Sequence, residues 1–168
     1  TVTNTYDNQG RRLTETQGNG LTKTYAYNLA GNRTSFQLKQ GTSVKINQGY
    51  TYDNVVRLIF FFNFWSTMEI YTYDKNHKLL TASYPGPGIT STYTYGQAGQ
   101  LTGLTNKKGT ASLSSYSYTY YLDGNQASKT DSTGTTSYQY DGLGRLTRES
   151  NPSAITKEYS YDSAGNRT

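Results

Sequence analysis

Residues 138–147 read YQYDGLGRLT: two tyrosines one residue apart, an aspartate, a glycine three residues on, then Arg-Leu-Thr. Side chains alternate across an extended chain, so Tyr138 and Tyr140 share one face of a strand and Gln139 takes the other. Asp141 reads as a turn opener, because its carboxylate can accept from a backbone N–H two residues on. Gly144 stands where a type I turn closes on a left-handed residue, a position that favours a residue without Cβ. Arg145 and Leu146 then start a return strand. The stretch spells strand, turn, strand.

The same pattern recurs along the whole chain. Tyr-x-Tyr steps stand at Tyr25/Tyr27, Tyr50/Tyr52, Tyr71/Tyr73, Tyr93/Tyr95, Tyr118/Tyr120, Tyr138/Tyr140 and Tyr159/Tyr161, and Asn4/Tyr6 marks one more copy. The second tyrosines fall at 6, 27, 52, 73, 95, 120, 140 and 161, which makes residues 1–168 an array of about eight repeats with no separate domain. The residue between each pair is small or polar, as a strand with one wet face requires. Asp follows the second tyrosine at Asp7, Asp53, Asp74, Asp141 and Asp162, with Asn28 once in its place. Gly follows at Gly10, Gly31, Gly99, Gly124, Gly144 and Gly165. Second turns separate the units, around Gly18–Gly20, Gly41, Pro85–Gly88, Gly109, Ser132–Gly134 and Asn151–Ser153. No segment carries a sustained helical period, so the predicted fold is all-β, a series of tandem antiparallel β-hairpins.

Composition agrees. Hydrophobic residues make up 33% of the chain, and 18 residues are tyrosines. Tyrosine buries a large ring, keeps a polar tip and suits strands, so it supplies the core that aliphatic residues do not. There is no cysteine, hence no disulfide framework or thiolate metal site. No apolar run reaches membrane-spanning length. The net charge of +5 comes from scattered Lys and Arg. It reads as solvation, not as a nucleic-acid surface.

The YQYDGLGRLT stretch and its sister YSYDSAGNRT at residues 159–168 closely resemble the YD/RHS repeats of bacterial RHS proteins, wall-associated proteins, toxin-complex components and teneurins. That resemblance implies hairpins winding into a curved or spiralling sheet, as a segment of a hollow β-shell. It also implies a non-catalytic role, as a wall that encloses a C-terminal toxin or other polypeptide cargo, or as a cell-surface scaffold. Implied partners are flanking repeats of the same chain, or further copies joined end to end, with the enclosed polypeptide. The implied location is extracellular, secreted or on a cell surface, and the Thr/Asn-rich, cysteine-free composition leans towards a bacterium. Neither a capping unit nor an Asp-Pro-x-Gly cleavage motif of the family's cargo-releasing members is present, so the sequence reads as an excerpt or as an assembling protomer.

Three departures stand out. Val56 and His77 replace the turn glycine in consecutive copies, and a β-branched residue suits a left-handed position worst, so the turn after Tyr52 must differ or be strained. Phe60, Phe61, Phe62, Phe64 and Trp65 interrupt the pattern. They read either as an interface for cargo or partner, or as the local core of a degenerate repeat, the reading favoured here, with register poorly specified. His77 is the only histidine and belongs to an exposed turn, without the companions a metal site or catalytic base needs. No cofactor is expected. The aspartates recur at one turn position and are explained by it. The runner-up function is glycan binding through exposed tyrosine rings, although Trp65 stands alone where sugar-binding aromatic repeats are rich in Trp.

Overall fold

The computed structural model describes residues 1–63 and 68–168, and every regular element among them is a β-strand. The chain divides into two compact units, Thr1–Ile89 and Thr90–Thr168. The first holds β1 (Val2–Tyr6), β2 (Arg12–Gln17), β3 (Leu21–Tyr27), β4 (Arg33–Gln40), β5 (Ser43–Tyr52), β6 (Leu58–Asn63), β7 (Met68–Tyr73) and β8 (Leu79–Tyr84). The second holds β9 (Ile89–Tyr95, all but its first residue), β10 (Leu101–Lys108), β11 (Ala111–Tyr120), β12 (Gln126–Asp131), β13 (Gly134–Tyr140), β14 (Leu146–Ser150) and β15 (Thr156–Glu158). Within each unit, strands lie side by side in chain order, and the registered pairs are antiparallel. The tandem hairpins expected from the sequence are what the chain forms.

The Tyr-x-Tyr steps from Tyr25/Tyr27 to Tyr138/Tyr140 each end a strand, Tyr161 forms an isolated bridge with Arg167, and the turns share one recipe. The Asp141 N–H donates to the Arg145 carbonyl at 2.9 Å and the Gly144 N–H to the Asp141 carbonyl at 2.9 Å. Asp141 Oδ1 accepts from the Leu143 and Arg145 N–H groups. Asp7, Asp53, Asp74 and Asp162 repeat both carboxylate bonds. Gly144 has φ 75°. Val56 and His77 hold the same turn at φ 68° and 64°, so the substitution leaves the geometry intact and loads the backbone instead.

Just past the turn the register slips by one residue in six of these hairpins. Tyr140 faces Leu146 while Gln139 faces Arg148, which leaves Thr147 as a bulge. Equivalent bulges follow Tyr6, Tyr27, Tyr52, Tyr73 and Tyr120. Two of the second turns are tighter than the sequence suggested, because Gln40 pairs with Ser43 and Lys108 with Ala111. Propensity alone does not mark where such a strand stops.

The tyrosines of each pair are half-buried and the residue between them is exposed in all seven copies. This is the alternation expected of a sheet with one wet face. The wet face carries cross-strand hydroxyl pairs, Thr5–Thr14 at 2.6 Å, Thr72–Thr81 at 2.7 Å and Thr119–Ser128 at 2.7 Å. Burial is shallow throughout: Ala82, 2% exposed, is the one buried hydrophobic residue among those described, and no large side chain is fully enclosed. Stability therefore rests on cross-strand pairs and on contacts between successive hairpins, each a fraction of a kcal/mol to about 1 kcal/mol. A second layer is not what holds the strands.

Candidate functional site

The chemistry of the array concentrates at the joint between one hairpin and the next. Arg145 donates from Nε to Asp141 Oδ2 at 2.7 Å within its own turn and lays its guanidinium 4.5 Å from the ring centroid of Tyr161. Arg57 repeats the arrangement with Asp53 at 2.6 Å and Tyr73 at 4.8 Å, as does Arg11 with Asp7 at 2.6 Å and Tyr27 at 4.8 Å. Arg57 also donates from Nη1 to the Asp74 carbonyl, and Arg11 to that of Asn28, so the guanidinium grips the following turn directly. One cation thus serves a carboxylate behind it and an aromatic face ahead of it.

The second tyrosine closes the joint from the other side. Its hydroxyl donates to a backbone carbonyl of the preceding repeat: Tyr27 to Arg12, Tyr52 to Arg33, Tyr73 to Leu58, Tyr120 to Leu101 and Tyr161 to Leu146, at 2.7–3.1 Å. For Arg12, Arg33, Leu58 and Leu146 the acceptor is the residue faced by that repeat's own second tyrosine, beside the bulge. A bulge disrupts the ladder locally, and the phenol supplies a donor there. This bond explains why the position is tyrosine and not phenylalanine.

The same geometry sets the charge state of the turns. The Arg57 and Arg145 backbone N–H groups, aided by their guanidinium groups, hold Asp53 and Asp141 below the usual carboxylate range. The Asn166 side chain does so for Asp162. At Asp7 partial burial pushes upward, and the Arg11 hydrogen bonds outweigh it. Asp131 is drawn down to about 2, by Thr133 first and then Lys129.

Two places depart from the pattern. In β6, Phe61 joins the tyrosine face against Tyr50, with ring centroids 5.3 Å apart, while Phe60 and Phe62 project from the opposite face. Alternation and register are both kept there, contrary to the sequence expectation, because Phe60, Phe61 and Phe62 pair in order with Ile70, Glu69 and Met68. Phe62 lies over Gly49, where a Cβ would come within 2.0 Å of its ring. The result is an apolar patch of Phe60, Phe62, Met68 and Ile70 on the wet face, the last three each more than a third exposed. Phe64 and Trp65 lie outside the described residues.

The other departure is the turn after Tyr120. Tyr121 takes the aspartate position and Asn125 the arginine position. Tyr121 donates its hydroxyl to the Tyr138 carbonyl at 2.9 Å and meets the Tyr140 ring edge-to-face at 6.3 Å. An open cleft of about 630 Å³ lies there, lined by Tyr121, Leu122, Asp123, Gln139, Tyr140 and Asp141, with Thr147. Sequence reasoning named Tyr140 and Asp141 as repeat residues and missed Tyr121 and Asp123; the break in the Asp/Arg pattern at 121 and 125 was the available signal.

That turn opens the segment that matches the family model for the RHS repeat. The RHS-repeat match covers residues 120–156. Its fold is similar to that of several solved structures. A Tc holotoxin pore from Photorhabdus luminescens matches 99% of this chain at 18% identity and TM-score 0.57. TcdB2-TccC3 without its hypervariable C-terminal region matches 99% at 17% identity and TM-score 0.59. TcdB2-TccC3-TEV matches 99% at 18% identity and TM-score 0.58. In each case the chain spans 11% of the matched chain's length. No curated protein matches the chain in sequence.

Among the described residues no group of three or more His, Cys, Asp or Glu side chains could hold a metal ion. No helix among the described residues is long and apolar enough to cross a membrane. The repeat side chains Asp53, Arg57, Asp141 and Arg145 are engaged in turns and joints.

Proposed function

We propose that this array is a non-catalytic wall segment of an RHS-type β-shell, which encloses a polypeptide cargo in a secreted or surface-exposed bacterial protein. One observation carries the reading: nearly the whole chain superimposes on toxin-complex shell structures. The joint chemistry supports it. Arg145 to Tyr161 and Tyr161 to Leu146 link each hairpin to the next, so hairpins can be added in series without a new core. The repeat residues, from Tyr25 and Tyr27 through Asp162 and Gly165, serve that joining. Phe60 and Phe62 provide an apolar surface for cargo or a neighbouring wall segment. The test uses the full-length protein carrying a protease-sensitive C-terminal passenger. Deleting residues 1–168 should expose the passenger to protease; protection that survives the deletion overturns the wall function.

A further inference from the structure

We propose that the cleft between Tyr121 and Tyr140 receives a cationic side chain, arginine above all, from a second polypeptide. The inference goes beyond the wall function and does not depend on it, since the cleft lies wholly within Thr90–Thr168 and on residues of this chain.

The repeat itself shows what belongs there. At Tyr27, Tyr73 and Tyr161 the ring is capped by an arginine from the preceding turn, at 4.5–4.8 Å, and that arginine neutralises the turn's aspartate. Asn125 holds the arginine's place in the turn before Tyr140. Its Nδ2 would stand 3.5 Å from a Cβ at Gly144, much as Arg11 Nη1 would stand 3.8 Å from one at Gly31. Asparagine keeps the position and is too short and uncharged to cap the ring.

Two groups are left over as a result. Asp123 accepts from the Asn125 N–H at 3.0 Å and its side-chain amide at 2.9 Å, but forms no ion pair among the described residues. Tyr140 is a second tyrosine whose hydroxyl makes no hydrogen bond among the described residues, whereas those of its counterparts at 27, 52, 73, 120 and 161 reach the preceding repeat. The rings of Tyr52 and Tyr120 also follow a neutral residue, Asn32 or Gln100, yet both spend their hydroxyls on the joint. Compared with the joints at Tyr27, Tyr52, Tyr73, Tyr120 and Tyr161, the Tyr140 joint alone combines, among the described residues, a ring without a cation over it, a carboxylate without an ion pair, a phenol without a hydrogen bond and an open cleft.

A guanidinium fits this set. It stacks on a tyrosine face, donates to a carboxylate in a planar fork and offers a further N–H to the phenol oxygen. A lysine ammonium satisfies the charge without the plane and should bind more weakly. The site would thus be a repeat joint completed in trans.

The test is a titration of the intact 168-residue chain with the peptide acetyl-Gly-Arg-Gly-amide, read by the ring resonances of Tyr121 and Tyr140. Saturable shifts confined to those rings are expected. They should be weaker by severalfold with lysine in place of arginine and absent with norleucine. Asn125→Arg, which supplies the cation from within, should lower peptide affinity at least tenfold, while the neutral Asn125→Gln leaves it within twofold. Asp123→Asn should also lower it severalfold. No saturable response by the wild-type chain overturns the proposal, as does equal affinity in Asn125→Arg when circular dichroism shows that variant folded. Saturable binding of a neutral cello-oligosaccharide at these rings, with none of the arginine peptide, would reassign the cleft to glycans.

Discussion

The Tyr73 hydroxyl donates to the backbone carbonyl of Leu58 at 2.9 Å, across the joint between two successive hairpins. The donor belongs to a repeat whose own turn is closed by His77, and the acceptor lies next to a bulge. A phenyl ring alone would fill the same half-buried space, so the bond separates tyrosine's two contributions.

Replacing Tyr73 by Phe should therefore cost about 0.5–1.5 kcal/mol, the range for one net hydrogen bond. Tyr140→Phe, which removes a hydroxyl with no partner among the described residues, should be close to neutral. Urea unfolding of the two variants side by side checks the difference; equal losses would mean that the ring, not the hydroxyl, matters at both joints.

Arg145 acts on two repeats at once, pairing with Asp141 and capping Tyr161. Arg145→Ala should destabilise by about 1–2 kcal/mol, discounted for partial exposure. Arg145→Lys should recover less than half of that, because an ammonium lacks the planar fork. Denaturant midpoints measure both.

Val56 sits at φ 68°, where a β-branched side chain crowds its own backbone. Val56→Gly should raise stability by about 1 kcal/mol, and Val56→Asn by less, since Asn tolerates the left-handed region. Thermal melts settle the order. His77→Gly, at φ 64°, should also stabilise, by a smaller amount than Val56→Gly because histidine is not β-branched.

The acid limb of stability follows from the turns. Asp53, Asp141 and Asp162 are held below the usual carboxylate range by hydrogen bonds to the charged form, and Asp131 is drawn to about 2. A depressed folded-state pKa contributes stability above the unfolded value, and that contribution is lost as pH falls through the folded one. Stability should thus hold from about pH 7 to pH 5 and decline between about pH 4 and pH 2. Circular dichroism melts across that range check it, and Asp131→Asn should flatten the lower part of the decline.

Gly49→Ala should be destabilising, because its methyl would meet the Phe62 ring. The loss should shrink in a Phe62→Ala background. A double-mutant cycle in urea gives the coupling, and an additive result would mean that the ring can swing aside freely.

Much of this architecture was legible beforehand. A Tyr-x-Tyr step demands a strand face, and Asp followed by Gly demands a particular reversal, so hairpins could be placed from local rules alone. Those rules are covalent and short-ranged. The bulge at Thr147 and the phenol-to-carbonyl bond of Tyr161 were not legible, because both depend on which residue faces which across strands. Nor was the order within Phe60–Phe62, where a run of like residues hides the alternation that pairing with Ile70, Glu69 and Met68 imposes. At the cleft, the altered letters Tyr121 and Asn125 were visible, but their meaning depended on knowing what Arg145 does one repeat later.

Each phenol-to-carbonyl bond reaches only to the hairpin immediately before it. Excising or duplicating one whole hairpin in the gene would leave every other such bond unchanged, provided the new neighbours present the same bulge and the same tyrosine. Recombination between repeated coding stretches can then lengthen or shorten the array one hairpin at a time.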